Sequence, residues 1–209
     1  MSTVLAALKR VAGPVSRETF DDLRQLQHIF EKWASRINLA APSTLADIWT
    51  RHFVDSAQLM PLGHGAKRWT DLGSGGGFPG LVVAVFLKSL DGAHIDLVES
   101  NSKKAAFLQT AIRQLDLPAR VYVRRIEAIG GLIPSPDIVT ARALAPLSRL
   151  LELSCPLFSV TTRGLFHKGR DYRRELEESA DEWEFDLVEH ASAVENGSVI
   201  LEISNLRRR

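Results

Sequence analysis

One junction constrains this chain more than any other: Thr70-Asp71-Leu72-Gly73-Ser74-Gly75-Gly76-Gly77-Phe78-Pro79-Gly80. A short apolar strand candidate leads in, an acid stands just ahead of the glycines, and an apolar helix candidate follows. Glycine has no Cβ and tolerates positive φ, so the backbone N–H groups of such a loop approach a ligand closely. The helix that opens at Pro79-Gly80 points the positive end of its dipole at the same place. A strand, a glycine turn and a helix in succession are the unit of an α/β sheet, which leaves the ligand as the question.

The rest of the chain extends that unit. Strand candidates are Arg68–Leu72, His94–Glu99, Arg120–Arg124, Asp137–Ala141 and Arg163–His167, with helix candidates Gly80–Leu90, Ser102–Leu115, Leu147–Cys155 and Tyr172–Glu182 among them. Short apolar strands alternating with helices predict a mostly parallel sheet covered on both faces. Two closing strand-like runs, Glu184–His190 and Ser198–Ser204, flank Glu195-Asn196-Gly197 and predict an antiparallel edge hairpin. The first third reads helical: from Ser16 onward Phe20, Leu23, Leu26, Phe30, Trp33 and Ile37 recur at three- and four-residue steps. A second helix, capped at Ser43 or Thr44 with Asp47 in reach of a capping box, is expected to carry Leu45, Ile48, Trp49, Phe53 and Met60 and to end at Gly63 and Gly65. The expected organisation is a helical cap over residues 1–62 and an α/β domain over residues 63–209.

At 209 residues the chain holds one full-sized domain and a small appendage. A formal net charge of +1 means that any nucleic-acid role rests on local clustering rather than bulk charge. One cysteine excludes an internal disulfide framework and fits a reducing compartment. Lys9-Arg10 follow the first apolar run instead of preceding it, the wrong order for a signal peptide, and no stretch is long enough to span a bilayer. A cytoplasmic protein is expected.

Gly75 to Gly80 match G-x-G-x-x-G, and Glu99 follows by about 20 residues, the spacing of a dinucleotide fingerprint. Two details argue against a dinucleotide. Asp71 stands where such strands are usually apolar, and Gly73 begins the turn earlier than a pyrophosphate cradle needs. S-adenosylmethionine has no phosphate, carries a charged amino-acid end that suits an acid beside the loop, and has ribose hydroxyls that Glu99 can accept at a strand carboxyl end. A second pattern points to the substrate. Lys103, Lys104, Arg124, Arg125, Arg142, Lys168 and Arg170 all follow strand candidates, so a parallel sheet gathers them on the glycine-loop rim. A basic rim in a chain of almost no net charge suggests a polyanion. Lys67-Arg68 and Arg207-Arg208-Arg209 fall elsewhere, the latter as a tail argued from charge alone.

Arg51-His52-Phe53-Val54-Asp55-Ser56, the D-L-G-S-G-G-G-F-P-G loop, Arg125-Ile126-Glu127, Ala141-Arg142-Ala143 and His167-Lys168-Gly169 together resemble the bacterial small-subunit ribosomal RNA methyltransferases once called glucose-inhibited division protein B. The resemblance runs in spaced blocks from about Asn38 to Lys168. It implies a seven-stranded class I (Rossmann-like) fold and transfer of a methyl group from S-adenosylmethionine to N7 of a guanine in 16S rRNA near the decoding site. It also implies cofactor contacts at Gly73, Gly75, Gly77, Phe78, Glu99, Ile126, Glu127 and Arg142, with Ile126 flanking the adenine and a backbone or Glu127 group reading its edge. Glu99 stands where many members of the family have Asp. Arg142 and Lys168 are expected to face RNA phosphate or the target base as positioning groups.

Guanine N7 carries a lone pair and no proton, so the transfer needs neither a general base nor a nucleophile, only alignment. The chain has no N/D-P-P-Y/F block, and Cys155, inside an apolar helix candidate, reads as a buried structural thiol. His52, beside Trp49 and Phe53, is expected to brace the cap, whereas Phe78 is expected to cover the cofactor or stack on an inserted base. The histidines show no metal-ligand spacing, and a metal-free monomer is expected. Two other readings stay open on the residues alone: a nicotinamide-dependent oxidoreductase and a regulator that binds S-adenosylmethionine without turnover.

Overall fold

The computed structural model describes residues 2–41 and 45–209, and its centre is a seven-stranded sheet in the order β3-β2-β1-β4-β5-β7-β6. The strands are β1 (Arg68–Leu72), β2 (His94–Val98), β3 (Ala119–Tyr122), β4 (Ile138–Arg142), β5 (Arg163–Lys168), β6 (Trp183–Ala191) and β7 (Val199–Arg208). The first five run parallel, and β7 inserts antiparallel between β5 and β6. Parallel neighbours put every carboxyl end of β1 to β5 on one rim, where ligands of open α/β sheets bind. Asp137 clamps the opposite edge, its carboxylate accepting from the backbone N–H groups of Lys67 and Arg68 at 2.9 Å each. Lys67-Arg68 therefore lie away from the rim, as expected.

Four main helices cover the sheet: α3 (Gly80–Leu87), α4 (Ser102–Leu115), α5 (Leu147–Ser154) and α6 (Tyr172–Ser179), following α1 (Ser2–Ala12) and α2 (Arg17–Ala34) of the cap. In α3 every residue except Phe86 is buried. A helix apolar all round must be covered on all sides, and α3 packs between β2 and α2. Asn101 caps α4, its side-chain oxygen accepting from the N–H groups of Lys103 and Lys104. Ser16 caps α2 in the same way through Thr19 N–H. Leu23, Leu26 and Phe30 on α2 are buried in one continuous core with Leu8 of α1, Trp69 of β1, Leu81 of α3 and Phe107 of α4. A second core on the other face joins α5 and α6 to Val139, Phe166 and Leu201.

Three expectations change. The second cap helix is not one α-helix: a π-helical segment, Trp49–Val54, leads into two short turns, Asp55–Ala57 and Leu59–Leu62, ended at Gly63. Ser43 and Thr44, expected as its cap, lie outside the described residues. Leu45 is exposed rather than part of the stripe, although Ile48 and Phe53 are buried. The arginine tail is not a tail, because β7 runs through it: Arg207 pairs with Glu184, and the Arg208 guanidinium lies 5.8 Å from the Trp183 ring centroid. Charge alone hid the strand there, since its outward positions are paired across to β6. Cys155 is half-buried at the end of α5, and burial pushes its thiol pKa up, which suits packing rather than nucleophilic work.

Candidate active site

The glycine loop closes through its own backbone. Ser74 N–H donates to Val98 O at 3.0 Å, and Gly77 N–H donates to Ser74 O at 2.7 Å. Three positive φ angles, at Gly73 (+67°), Gly75 (+51°) and Gly77 (+83°), make the turn possible. Glu99, buried behind the loop, accepts from Gly75 N–H at 2.8 Å with one oxygen and from Asn101 N–H at 2.6 Å with the other. Asp71 is fully buried under the loop and accepts the Thr140 hydroxyl at 2.7 Å. A Cβ added to Gly80 would stand 2.6 Å from its other oxygen, so Gly80 is small to let α3 sit over the carboxylate. Burial pushes the Asp71 carboxyl up to about 6. Asp71 therefore supports the turn and does not line the cavity, contrary to the expected contact with a charged ligand end.

Above the loop lies a cavity of about 740 Å³, walled by Gly73 to Gly76, Phe78, Ala141 to Pro146, His167 to Gly169 and the β6–β7 connection. Its volume suits one small ligand and part of a second. The cap supplies the facing wall through the π-helical segment. Arg142, at the end of β4, donates from Nη1 to Arg51 O at 2.9 Å and to the Asp55 carboxylate at 3.1 Å, and from Nη2 to His52 Nδ1 at 2.7 Å. The wide π turn places these three acceptors on one side, and such turns recur at functional sites. The backbone bends sharply after Arg142, with Ala143 at φ +52°. Across the cavity mouth, Arg51 pairs with Glu195 at 3.3 Å, and Gln58 accepts from Ala193 N–H at 3.0 Å, clasping the β6–β7 connection to the cap.

Because Arg142 is a donor only, His52 Nδ1 must be the acceptor, which makes the imidazole neutral with its proton on Nε2. Burial, with Arg142 beside it, lowers the His52 pKa to about 4. The His167 side chain is also largely enclosed, its Nε2 3.1 Å from Asp55 O, and burial lowers its pKa too. Both histidines resist protonation in the folded state while the unfolded chain takes protons near 6.5. The contribution of these two histidines is then complete above about pH 6.5 and is lost as pH drops toward 4, His52 alone accounting for at most about 3 kcal/mol. The raised Asp71 carboxyl acts in the opposite sense between about pH 6 and 4. Denaturant unfolding from pH 7 to 4.5 should show a smaller loss of stability toward acid for His52→Gln than for the wild type; parallel profiles would show that His52 titrates normally.

The sequence-derived site residues divide into groups. Gly73, Gly75, Phe78, Arg142 and Lys168 line the cavity. Phe78 does so from a buried position, 7% exposed, stacked on His52 at 4.8 Å and packed against Phe30 and Phe53 at 5.3 Å each. Its ring joins cap to loop, so the side chain expected to cover the cofactor or stack on a base lines the cavity from a position enclosed by the cap. His52 does brace the cap, and it also fixes Arg142. Gly77 turns the loop from below, where a Cβ would meet Leu81 at 2.5 Å, and does not face the cavity. Ile126 and Glu127 form a 3₁₀ turn outside the cavity, with the Glu127 carboxylate paired to Arg149. Lys168 is 8% exposed, and its ammonium donates to Ala145 O at 2.9 Å and to Glu175 at 2.5 Å, so its charge is answered inside the protein instead of facing phosphate. Asp55 and Glu175 went unsingled in the sequence. Asp55 lies three residues after His52 in the Arg51–Ser56 segment, whereas nothing local marked Glu175. Among the described residues no group of His, Cys, Asp and Glu is placed to hold a metal ion, and no helix is long and apolar enough to cross a membrane.

Comparison with known proteins gives the family. Residues 19–203 match the family GidB, rRNA small subunit methyltransferase G. The Ribosomal RNA small subunit methyltransferase G of Chelativorans sp. is 56% identical over 208 residues, 100% of this chain and 99% of that protein. The chain belongs to this family. The same-named protein of Brucella canis is 57% identical over 203 residues, 97% of this chain and 95% of that protein. With membership in the methyltransferase G family, the oxidoreductase and non-catalytic readings are set aside. Two solved structures share the fold at low identity. A putative O-methyltransferase from Klebsiella pneumoniae gives a TM-score of 0.59 at 12% identity, covering 95% of this chain and 94% of that one. Aeropyrum pernix fibrillarin in complex with S-adenosyl-L-methionine gives 0.51 at 17%, covering 66% of each. The fold is that of class I methyltransferases, with its parallel sheet and antiparallel β7.

Proposed function

We propose that this protein transfers a methyl group from S-adenosylmethionine to N7 of a guanine in small-subunit ribosomal RNA, in the cavity between the glycine loop and the cap. Family membership across the chain supports the activity, and one structural observation supports the place. Gly75 lines the cavity at φ +51°, and a Cβ there would meet only Gly73 O, at 3.5 Å, so the loop presents bare backbone to the cavity. That is the surface a cofactor without phosphate needs.

S-adenosylmethionine supplies an electrophilic methyl group when bound. Gly73 and Gly75 would hold it along the loop, and Glu99, buried behind Gly75 and outside the cavity lining, would take the ribose hydroxyls where the ligand passes the end of β2. A carboxylate has about four acceptor positions, so the two backbone N–H groups on Glu99 leave room for a diol. The adenine would extend beyond the cavity lining to the Ile126 turn. With the Glu127 carboxylate engaged by Arg149, the reading group there is the Glu127 backbone. Arg142 has five N–H donors, and three contacts to the cap fix the plane of its fork while the remainder is left for the cavity. Cap and loop exclude water, Arg142 orients, and Lys168 with Glu175 holds the Ala145–Leu147 segment, Glu175 also accepting from Leu147 N–H at 2.6 Å. No residue needs to move a proton, because N7 has none to lose.

We further propose that the protein works as a cytoplasmic monomer, with residues 1–62 as the cap and residues 63–209 as the methyltransferase domain. The test of function is incubation of methyl-labelled S-adenosylmethionine with undermethylated small ribosomal subunits, followed by nuclease digestion. Label should elute as 7-methylguanosine; label elsewhere, or none, would remove the assignment.

A further inference from the structure

We infer that the phosphodiester chain of the RNA is seated on the β2–β3 side of the rim, held by Lys103 and Lys104 at the start of α4 and by Arg124 and Arg125 after β3. This rests on the RNA-methylating function proposed above and names the surface that function uses. Adjacent parallel strands bring the two pairs together: Glu99 N–H donates to Tyr122 O at 3.1 Å where β2 and β3 end, and Arg124 N–H donates to the same oxygen at 2.9 Å.

Three observations set these cations apart from Arg142 and Lys168; Arg170, after β5, is likewise without an ion pair among the described residues, but its side chain lies over Gly197 in the β6–β7 connection, away from β2 and β3. First, among the described residues none of the four has a carboxylate within ion-pairing distance, whereas Arg142, Lys168 and Arg51 have Asp55, Glu175 and Glu195. Lys104 is the only lysine or arginine lining the cavity, among the described residues, without such a partner. It links the outer surface to the place of reaction. Second, Lys103 and Lys104 occupy the first turn of α4, where no acid is present and the helix dipole disfavours cations. Their position works against local helix stability, and an external anion would relieve it. Third, charge is separated across the sheet. Residues 100 to 125 hold six cations and one acid, whereas residues 171 to 189 hold nine acids and two arginines. These segments carry β3 and β6, the two opposite edges of the sheet. Setting Arg207, Arg208 and Arg209 against the acids still leaves an acidic excess at the β6 edge. A polyanion approaching the rim is steered toward β3 and away from β6. The near-zero net charge therefore conceals an oriented field.

The experiment compares K103Q/K104Q and R124Q/R125Q with the control R173Q/R174Q, on α6 at the acidic edge. Methyl transfer to undermethylated small subunits is measured across a potassium chloride series, S-adenosylmethionine affinity by calorimetry, and folding by thermal midpoint. Each rim variant should raise the subunit KM about tenfold and flatten the log affinity against log salt slope by about 1.5, as expected for two lost phosphate contacts. Cofactor affinity and midpoint should not change, and the control should match the wild type. An unchanged KM and slope, an equal loss in the control, or a loss confined to cofactor affinity would overturn this surface. If the wild type itself places no label in RNA, the proposed function fails; if the wild type labels RNA and the rim variants do so equally well, only the surface fails.

Discussion

Arg142→Ala is expected to lower kcat for methyl transfer at least about 100-fold, the scale of a misplaced reacting group, and to remove about 3 kcal/mol of stability. Two effects combine because one side chain has two tasks. Toward the cavity it orients a ligand; toward the cap it answers Asp55, whose carboxylate is 16% exposed and would be left beside the neutral His52. The tasks can be separated. Adding Asp55→Ala to Arg142→Ala should restore part of the stability, since the stranded charge goes, and none of the activity. Arg142→Lys should also fail to rescue turnover, because an ammonium cannot reach Arg51 O, Asp55 and His52 in one plane. Single-turnover kinetics and urea unfolding on the same preparations decide it. Full activity in Arg142→Ala would take Arg142 out of the site.

The second large effect is at Gly75. Gly75→Val should weaken S-adenosylmethionine binding by more than about 100-fold, by placing a β-branched side chain at φ +51° on the cavity wall. Gly65 is the control that separates backbone strain from ligand contact. Gly65 has φ +80°, with nothing within 4 Å of an added Cβ, and lies outside the cavity. Gly65→Val should therefore lower the thermal midpoint and leave cofactor affinity intact. Tight binding retained by Gly75→Val would show that the ligand does not run along this loop.

Much of this was legible in the sequence, and the limits have physical causes. β1 and α4 fall where periodicity placed them, because short buried strands and capped amphipathic helices carry their signals locally. The rim was legible because parallel topology alone puts strand ends together. What pattern reading missed depended on partners distant in sequence. Lys168 looked like a phosphate ligand until Glu175, seven residues on and across a loop, met it. Phe78 carried no local sign that Phe30, His52 and Phe53 of the cap would enclose it as it lines the cavity. Asp71 and Gly80 illustrate the same limit: the need for glycine there comes from a buried carboxylate nine residues earlier, 2.6 Å from where a Cβ would stand. The π-helical segment had no signature at all, since its apolar spacing is close to that of an ordinary helix.

Methylation at N7 leaves guanine with a fixed positive charge, and that chemistry gives the most direct test. Small-subunit RNA from undermethylated subunits, treated with this protein and S-adenosylmethionine, is reduced with borohydride and then cleaved with aniline. Strand scission should appear at one guanine, should require S-adenosylmethionine, and should disappear with Arg142→Ala. Methyl incorporation without scission would place the methyl group on another atom and contradict the account.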